Sequence, residues 1–158
     1  MEMVGAAGGL DVRSASGDAR IEVLRPLDTL FVRTSSGNVN LTGGSRNAQV
    51  DTASGNIWLL NLSGSTVVET STGKVTLRWD RLEADDTVKV RSASGRIDLS
   101  IPDASDPRGS LTTTGGTIRC DLPGTVNERG DTVSLEGAGP MIEAETASGE
   151  IVLVRVDT

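Results

Sequence analysis

The stretch Val50-Asp51-Thr52-Ala53-Ser54-Gly55-Asn56-Ile57-Trp58-Leu59 decides how the chain folds. Apolar residues stand at every second position on either side of Ser54-Gly55. That is the period of a β-strand with one face buried. Ser, Gly and Asn between the two halves are the residues of a tight corner. The unit reads strand, corner, strand.

The same unit recurs along the chain. The corners are Ser14-Ala15-Ser16-Gly17, Thr34-Ser35-Ser36-Gly37, Thr52-Ala53-Ser54-Gly55, Thr70-Ser71-Thr72-Gly73, Ser92-Ala93-Ser94-Gly95, Thr113-Thr114-Gly115-Gly116 and Thr146-Ala147-Ser148-Gly149. Their glycines are 20, 18, 18, 22, 21 and 33 residues apart. Aligned on the glycine, three columns are apolar in all seven copies. Five before the glycine stand Val12, Val32, Val50, Val68, Val90, Leu111 and Ala144. Two after it stand Ala19, Val39, Ile57, Val75, Ile97, Ile118 and Ile151. Four after it stand Ile21, Leu41, Leu59, Leu77, Leu99, Cys120 and Leu153. A fourth column, three before the glycine, is always Ser or Thr.

One unit of about twenty residues cannot bury its own apolar face, but a stack of them about 4.8 Å apart can. The expected fold is therefore all-β, a single-stranded parallel β-solenoid (β-helix) of about seven rungs, its handedness left open. The glycines Gly17, Gly37, Gly55, Gly73, Gly95, Gly116 and Gly149 are structural, at corners expected to need positive φ. The hydroxyls beside them are expected to bond backbone groups that the corner frees. No segment shows a helical period. Residues 1–9 read as a flexible or capping segment and 10–158 as the solenoid domain, with a long loop at 121–140 and the last copy closing the stack.

The interior has few rings to draw on: two Trp, one Phe and no Tyr. It must be built from Val, Ile, Leu, Ala and Thr. Net charge is −7 and the pI about 4.6, which argues against a nucleic-acid surface or docking on anionic lipid. The chain has no His, the commonest general base and metal ligand, and no apolar run of transmembrane length. Met1–Gly9 lacks the basic and apolar regions of a signal peptide. No catalytic residue, cofactor or metal is expected. The lone Cys120 replaces Leu in its column and reads as a small buried hydrophobe.

Function should then lie on what does not repeat. Trp58 falls on an outward position, where it either contacts a carbohydrate or protein, or lies over Asn40 and Thr76. Trp79 opens the charged segment Trp79–Thr87 and pins it to the sheet. With Asp85 and Asp86 these residues form the candidate interaction surface. Asp85, Asp86, Asp103 and Asp106 lack calcium-loop spacing and read as solvated acids. The segments Pro102–Gly109 and Asp121–Pro140 are further variable connections, the second holding Thr132-Val133-Ser134-Leu135, a candidate extra strand. Outward charges pair by sign between copies, Arg33 with Asp51 and Glu69 with Arg91.

The repeated Thr-x-Ser-Gly-x-Ile-x-Leu resembles the bacterial putative-adhesin, toastrack-type β-solenoid domains of unknown function. So do Ile97-Asp98-Leu99-Ser100-Ile101-Pro102, Ile118-Arg119-Cys120-Asp121-Leu122-Pro123 and the closing run from Ile142 to Ile151. The resemblance spans about Leu10 to Val156. It implies a domain commonly attached to membrane anchors or envelope modules in bacteria, with no established enzymatic activity. The expected function is a non-enzymatic, adhesin-like interaction module at the cell envelope, binding a protein or glycan, with self-association through its end rungs as a further candidate. A bactofilin-like self-assembling scaffold is the alternative, and a polysaccharide-acting β-helix enzyme the third.

Overall fold

The structure is a computed structural model that describes residues 2–4, 8–22, 28–43, 46–102, 106–121, 124–126 and 131–156. Among these there is no helix. A short strand, β1 (Glu2–Val4), comes first. Each repeat then supplies two strands, one on either side of its corner. They are β2 (Gly9–Ser14) and β3 (Ala19–Glu22), β4 (Thr29–Ser36) and β5 (Val39–Thr42), β6 (Asn47–Ser54) and β7 (Ile57–Ser63), β8 (Ser65–Thr72) and β9 (Val75–Arg81), and β10 (Thr87–Ser94) and β11 (Ile97–Pro102). The sixth repeat gives β12 (Arg108–Thr113) and β13 (Thr117–Cys120). After β14 (Gly124–Val126) and β15 (Thr132–Glu136), the last repeat gives β16 (Met141–Ser148) and β17 (Glu150–Val156).

The strands after the corners make sheet A, in the order β1-β3-β5-β7-β9-β11-β17-β13. The strands before them make sheet B, in the order β14-β15-β12-β16-β10-β8-β6-β4-β2. Neighbouring repeats pair in parallel and in the register of the glycine alignment: Val32 sits between Val12 and Val50, and Leu59 between Leu41 and Leu77. The three apolar columns become ladders between the sheets. Val50, Val68, Ile57, Leu59, Val75 and Leu77 are all 0% exposed. At roughly 1.5–3 kcal/mol per fully buried aliphatic side chain, these ladders drive the stacking.

The stack does not follow chain order. β16 pairs with β10 on one side and β12 on the other, and β17 lies between β11 and β13. The last copy therefore does not close the stack; it is inserted between the fifth and sixth. Burial gives the reason. Ile151, Leu153 and Ile142 are fully buried there, whereas Ile118 and Cys120, on the sheet A edge strand, are only half-buried. The interior place goes to the copy with more aliphatic surface to hide. Beyond β12 the chain caps sheet B with β15 and β14, both antiparallel to their partners. The Thr132–Leu135 stretch is thus a strand within the region read as a loop, with Val133 and Leu135 in the core. Likewise β1, inside the segment read as a cap, pairs with β3.

Candidate interaction surfaces

The corners come first, because they fix which residues face out. Six of the seven corner glycines have φ between +102° and +141°. Gly116 does not, contrary to expectation, because its corner is built differently. The Gly116 N–H donates to Thr113 Oγ1 at 3.0 Å. In the other copies the hydroxyl instead donates to the carbonyl two residues on: Ser14, Thr34, Thr52, Thr70, Ser92 and Thr146, at 2.8–3.1 Å. These hydroxyls satisfy carbonyls that the corner removes from the ladder. Gly116 is still needed as glycine, since a Cβ there would overlap the Gly149 carbonyl.

A side-chain ladder beside the glycines was not foreseen. Asp18 Oδ1 accepts from Asn38 N, Asn38 Oδ1 from Asn56 N, and Asn56 Oδ1 from Lys74 N, at 2.9–3.0 Å. The signal was Asp or Asn directly after the glycine in three successive copies. From Lys74 onward the same edge carries charges instead. Arg96 bonds Asp98 at 2.8 Å and approaches Glu150 at 3.4 Å. Its pKa is raised, chiefly by that hydrogen bond to Asp98 and by the charge of Asp98.

The outer face of sheet B carries the most organised surface. Along the stack the position four before the glycine reads Arg33, Asp51, Glu69, Arg91, Glu145. Beside it runs a row of small residues, Ser35, Ala53, Ser71, Ala93 and Ala147. The two rows line an open, shallow depression of about 630 Å³. Arg33 approaches Asp51 at 3.9 Å as expected, but Arg91, flanked by Glu69 and Glu145, bridges Glu145 at 3.6 Å. That neighbour could not be known without the insertion of β16. The side chains of these pairs are 40–69% exposed, so each pair is worth about 0–1 kcal/mol and its charges remain open to a partner.

Trp58 is half-buried on the outer face of sheet A, in register between Asn40 and Thr76. Next to it β7 bulges. Leu59 and Leu62 are both buried, and Leu60 is turned out, 37% exposed. Asn61 takes φ 61°. Trp79, by contrast, is 1% exposed and part of the core, so it cannot belong to a contact surface. A chain short of rings uses this one to fill space, and its Nε1 has no hydrogen-bond partner. Asp85 is exposed. The Asp86 carboxylate accepts the Glu83 N–H at 2.8 Å and its carbonyl the Met141 N–H at 3.0 Å, so Asp86 ties the turn to the last repeat. Asp106 Oδ2 accepts from Ala138 N at 3.1 Å; Asp103 lies outside the described residues. Among the described residues no three His, Cys, Asp or Glu gather as metal ligands.

The repeated Ser-Gly corner, its stacked glycines and its aliphatic ladders extend over nearly the whole chain. The Toastrack DUF4097 family pattern matches residues 3–154. The chain belongs to the Toastrack DUF4097 family. This Toastrack domain is similar in fold to the crystal structure of a putative cell adhesion protein from Clostridium sporogenes, with a TM-score of 0.51 and 11% identity over 98% of this chain and 92% of that one. No curated protein matches it.

Proposed function

We propose that this Toastrack domain is a non-enzymatic, adhesin-like interaction module, presented at a bacterial cell envelope, that meets its partner through the outer face of sheet B. The observation that carries the reading is the row Arg33, Asp51, Glu69, Arg91 and Glu145 beside its row of small residues. It is reachable from solvent, spans five neighbouring strands and sits on a rigid stack. At about 4.8 Å per strand it offers roughly 20 Å of patterned charge, enough for an extended protein or glycan chain. The same stack, read as a seven-rung solenoid, acts as a stiff spacer. The corner hydroxyls support the non-enzymatic reading, since they are bonded to backbone carbonyls rather than poised as nucleophiles. The cell-adhesion description of the Clostridium protein agrees with the reading at the level of fold.

The test is binding of the full chain to isolated bacterial envelope fractions, protein-rich and polysaccharide-rich, compared with an Arg33→Glu/Arg91→Glu variant. Saturable binding to one fraction, weakened about tenfold by the charge reversal, is expected. Equal binding by both proteins would exclude this face. Release of reducing ends from any polysaccharide would overturn the non-enzymatic reading.

A further inference from the structure

We propose that the β1 end of the stack is a self-complementary step through which two copies of this chain form a closed dimer. Sheet A ends on β1 and sheet B on β2, while β3, which shares a repeat with β2, lies one strand inside β1. Sheet A is therefore one strand longer than sheet B. Among the described residues no strand pairs with the outer edge of β2. The corner column is open at the same place. A Cβ on Gly17 would meet nothing within 4 Å, whereas at Gly37, Gly55, Gly73, Gly95, Gly149 and Gly116 it would strike the neighbouring backbone. A strand edge with unpaired N–H and C=O groups is a template for another strand.

The occupant that fits is a second copy. A 180° rotation about an axis parallel to the strands reverses the stack and brings sheet A of one copy into line with sheet B of the other. β1 of each copy then fills the half-rung beside β2 of its partner, and both sheets run unbroken across the junction. The two sheets run their strands in opposite directions away from the corner, so each new β1–β2 pair is antiparallel. Such a contact uses the same surface twice and stops at two copies.

The columns fix the register. Met3 pairs with Ile21, four after the corner glycine. Val12, five before that glycine, belongs to the same layer of the core and is 3% exposed. The two-fold therefore sets Met3 opposite Val12 of the partner, Glu2 opposite Arg13 and Val4 opposite Asp11. An acid meets a base, and the apolar columns continue. A shift of two residues either way would set Glu2 against Asp11 or Met3 against Ser14. The Arg13 side chain is 70% exposed and free to reach a neighbour while it also touches Asp11 at 3.3 Å and lies 5.6 Å over the Phe31 ring. The dimer is independent of the sheet B reading above, and it points the two sheet B faces to opposite sides.

Sedimentation velocity on the full chain across a concentration series tests it. The expected species has twice the 16.4 kDa chain mass and dissociates on dilution. Arg13→Glu and Glu2→Arg should each weaken the dimer about thirtyfold, since each reversal acts at two symmetric contacts. The double variant Glu2→Arg/Arg13→Glu should restore it. The intrachain contacts of Arg13 are lost in both Arg13→Glu proteins, so the rescue isolates the contact between copies. A monomer at every soluble concentration, an open-ended series of oligomers, or a dimer indifferent to the single reversals would each overturn the proposal.

Discussion

At the scale of single residues, the corner glycines obey two separate constraints. One is conformational: φ of +127° at Gly55 and +102° at Gly17 lies where a β-carbon costs about 1–3 kcal/mol. The other is stacking, because a Cβ on Gly55 would overlap the Gly37 carbonyl, whereas one on Gly17 meets nothing. Gly17→Ala should therefore lower stability by about 1–3 kcal/mol in urea unfolding followed by circular dichroism. Gly55→Ala should cost well over 4 kcal/mol or fail to fold. Equal costs at the two sites would show that stacking adds nothing. The repetition of glycine was visible in the sequence. The second constraint was not, since it depends on carbonyls of neighbouring repeats.

At the scale of elements, strands keep strict alternation except where β7 bulges. Leu59 and Leu62 both face the core, and the residues between them are forced outward. Asn61 makes the bulge with φ 61°, a conformation that Asn and Gly tolerate and β-branched residues do not. Asn61→Val should thus destabilise by about 1–2 kcal/mol, while Asn61→Gly should stay within about 0.5 kcal/mol of the parent in thermal and urea unfolding. Similar losses in both variants would mean that the Asn side chain, not its backbone angle, matters. The alternation rule locates Trp58 correctly on the outer face. It cannot foresee Leu60, because Ile57-Trp58-Leu59-Leu60-Asn61-Leu62 is too apolar for its phase to be read.

At the scale of the whole molecule, the insertion of the last repeat changes which part of the chain is protected. β16 and β17 are C-terminal in sequence but have neighbours on both sides, whereas β13 is an edge strand. Native-state hydrogen exchange should find amides of residues 142–153 among the slowest and those of 117–120 faster by about tenfold or more. Fraying of the C-terminal repeat ahead of β13 would contradict the strand order. Removal of the last repeat should likewise do more than shorten the stack, since it strips partners from both the fifth and the sixth.

The sequence by itself determined the repeat, the two strands per repeat, the in-and-out phase of nearly every strand and the need for small corners. All of these are local, set by chain stiffness and by the alternation of side chains along a strand. Only the tertiary structure decided that the repeats stack out of order, that Trp79 is core, that Arg91 meets Glu145, and that one sheet ends a strand beyond the other. Parallel repeats with matching ladders are nearly interchangeable as neighbours. Their order is therefore settled by which arrangement buries the most aliphatic surface and leaves the weakest rung at the edge, a comparison among whole folds that no single stretch of sequence contains.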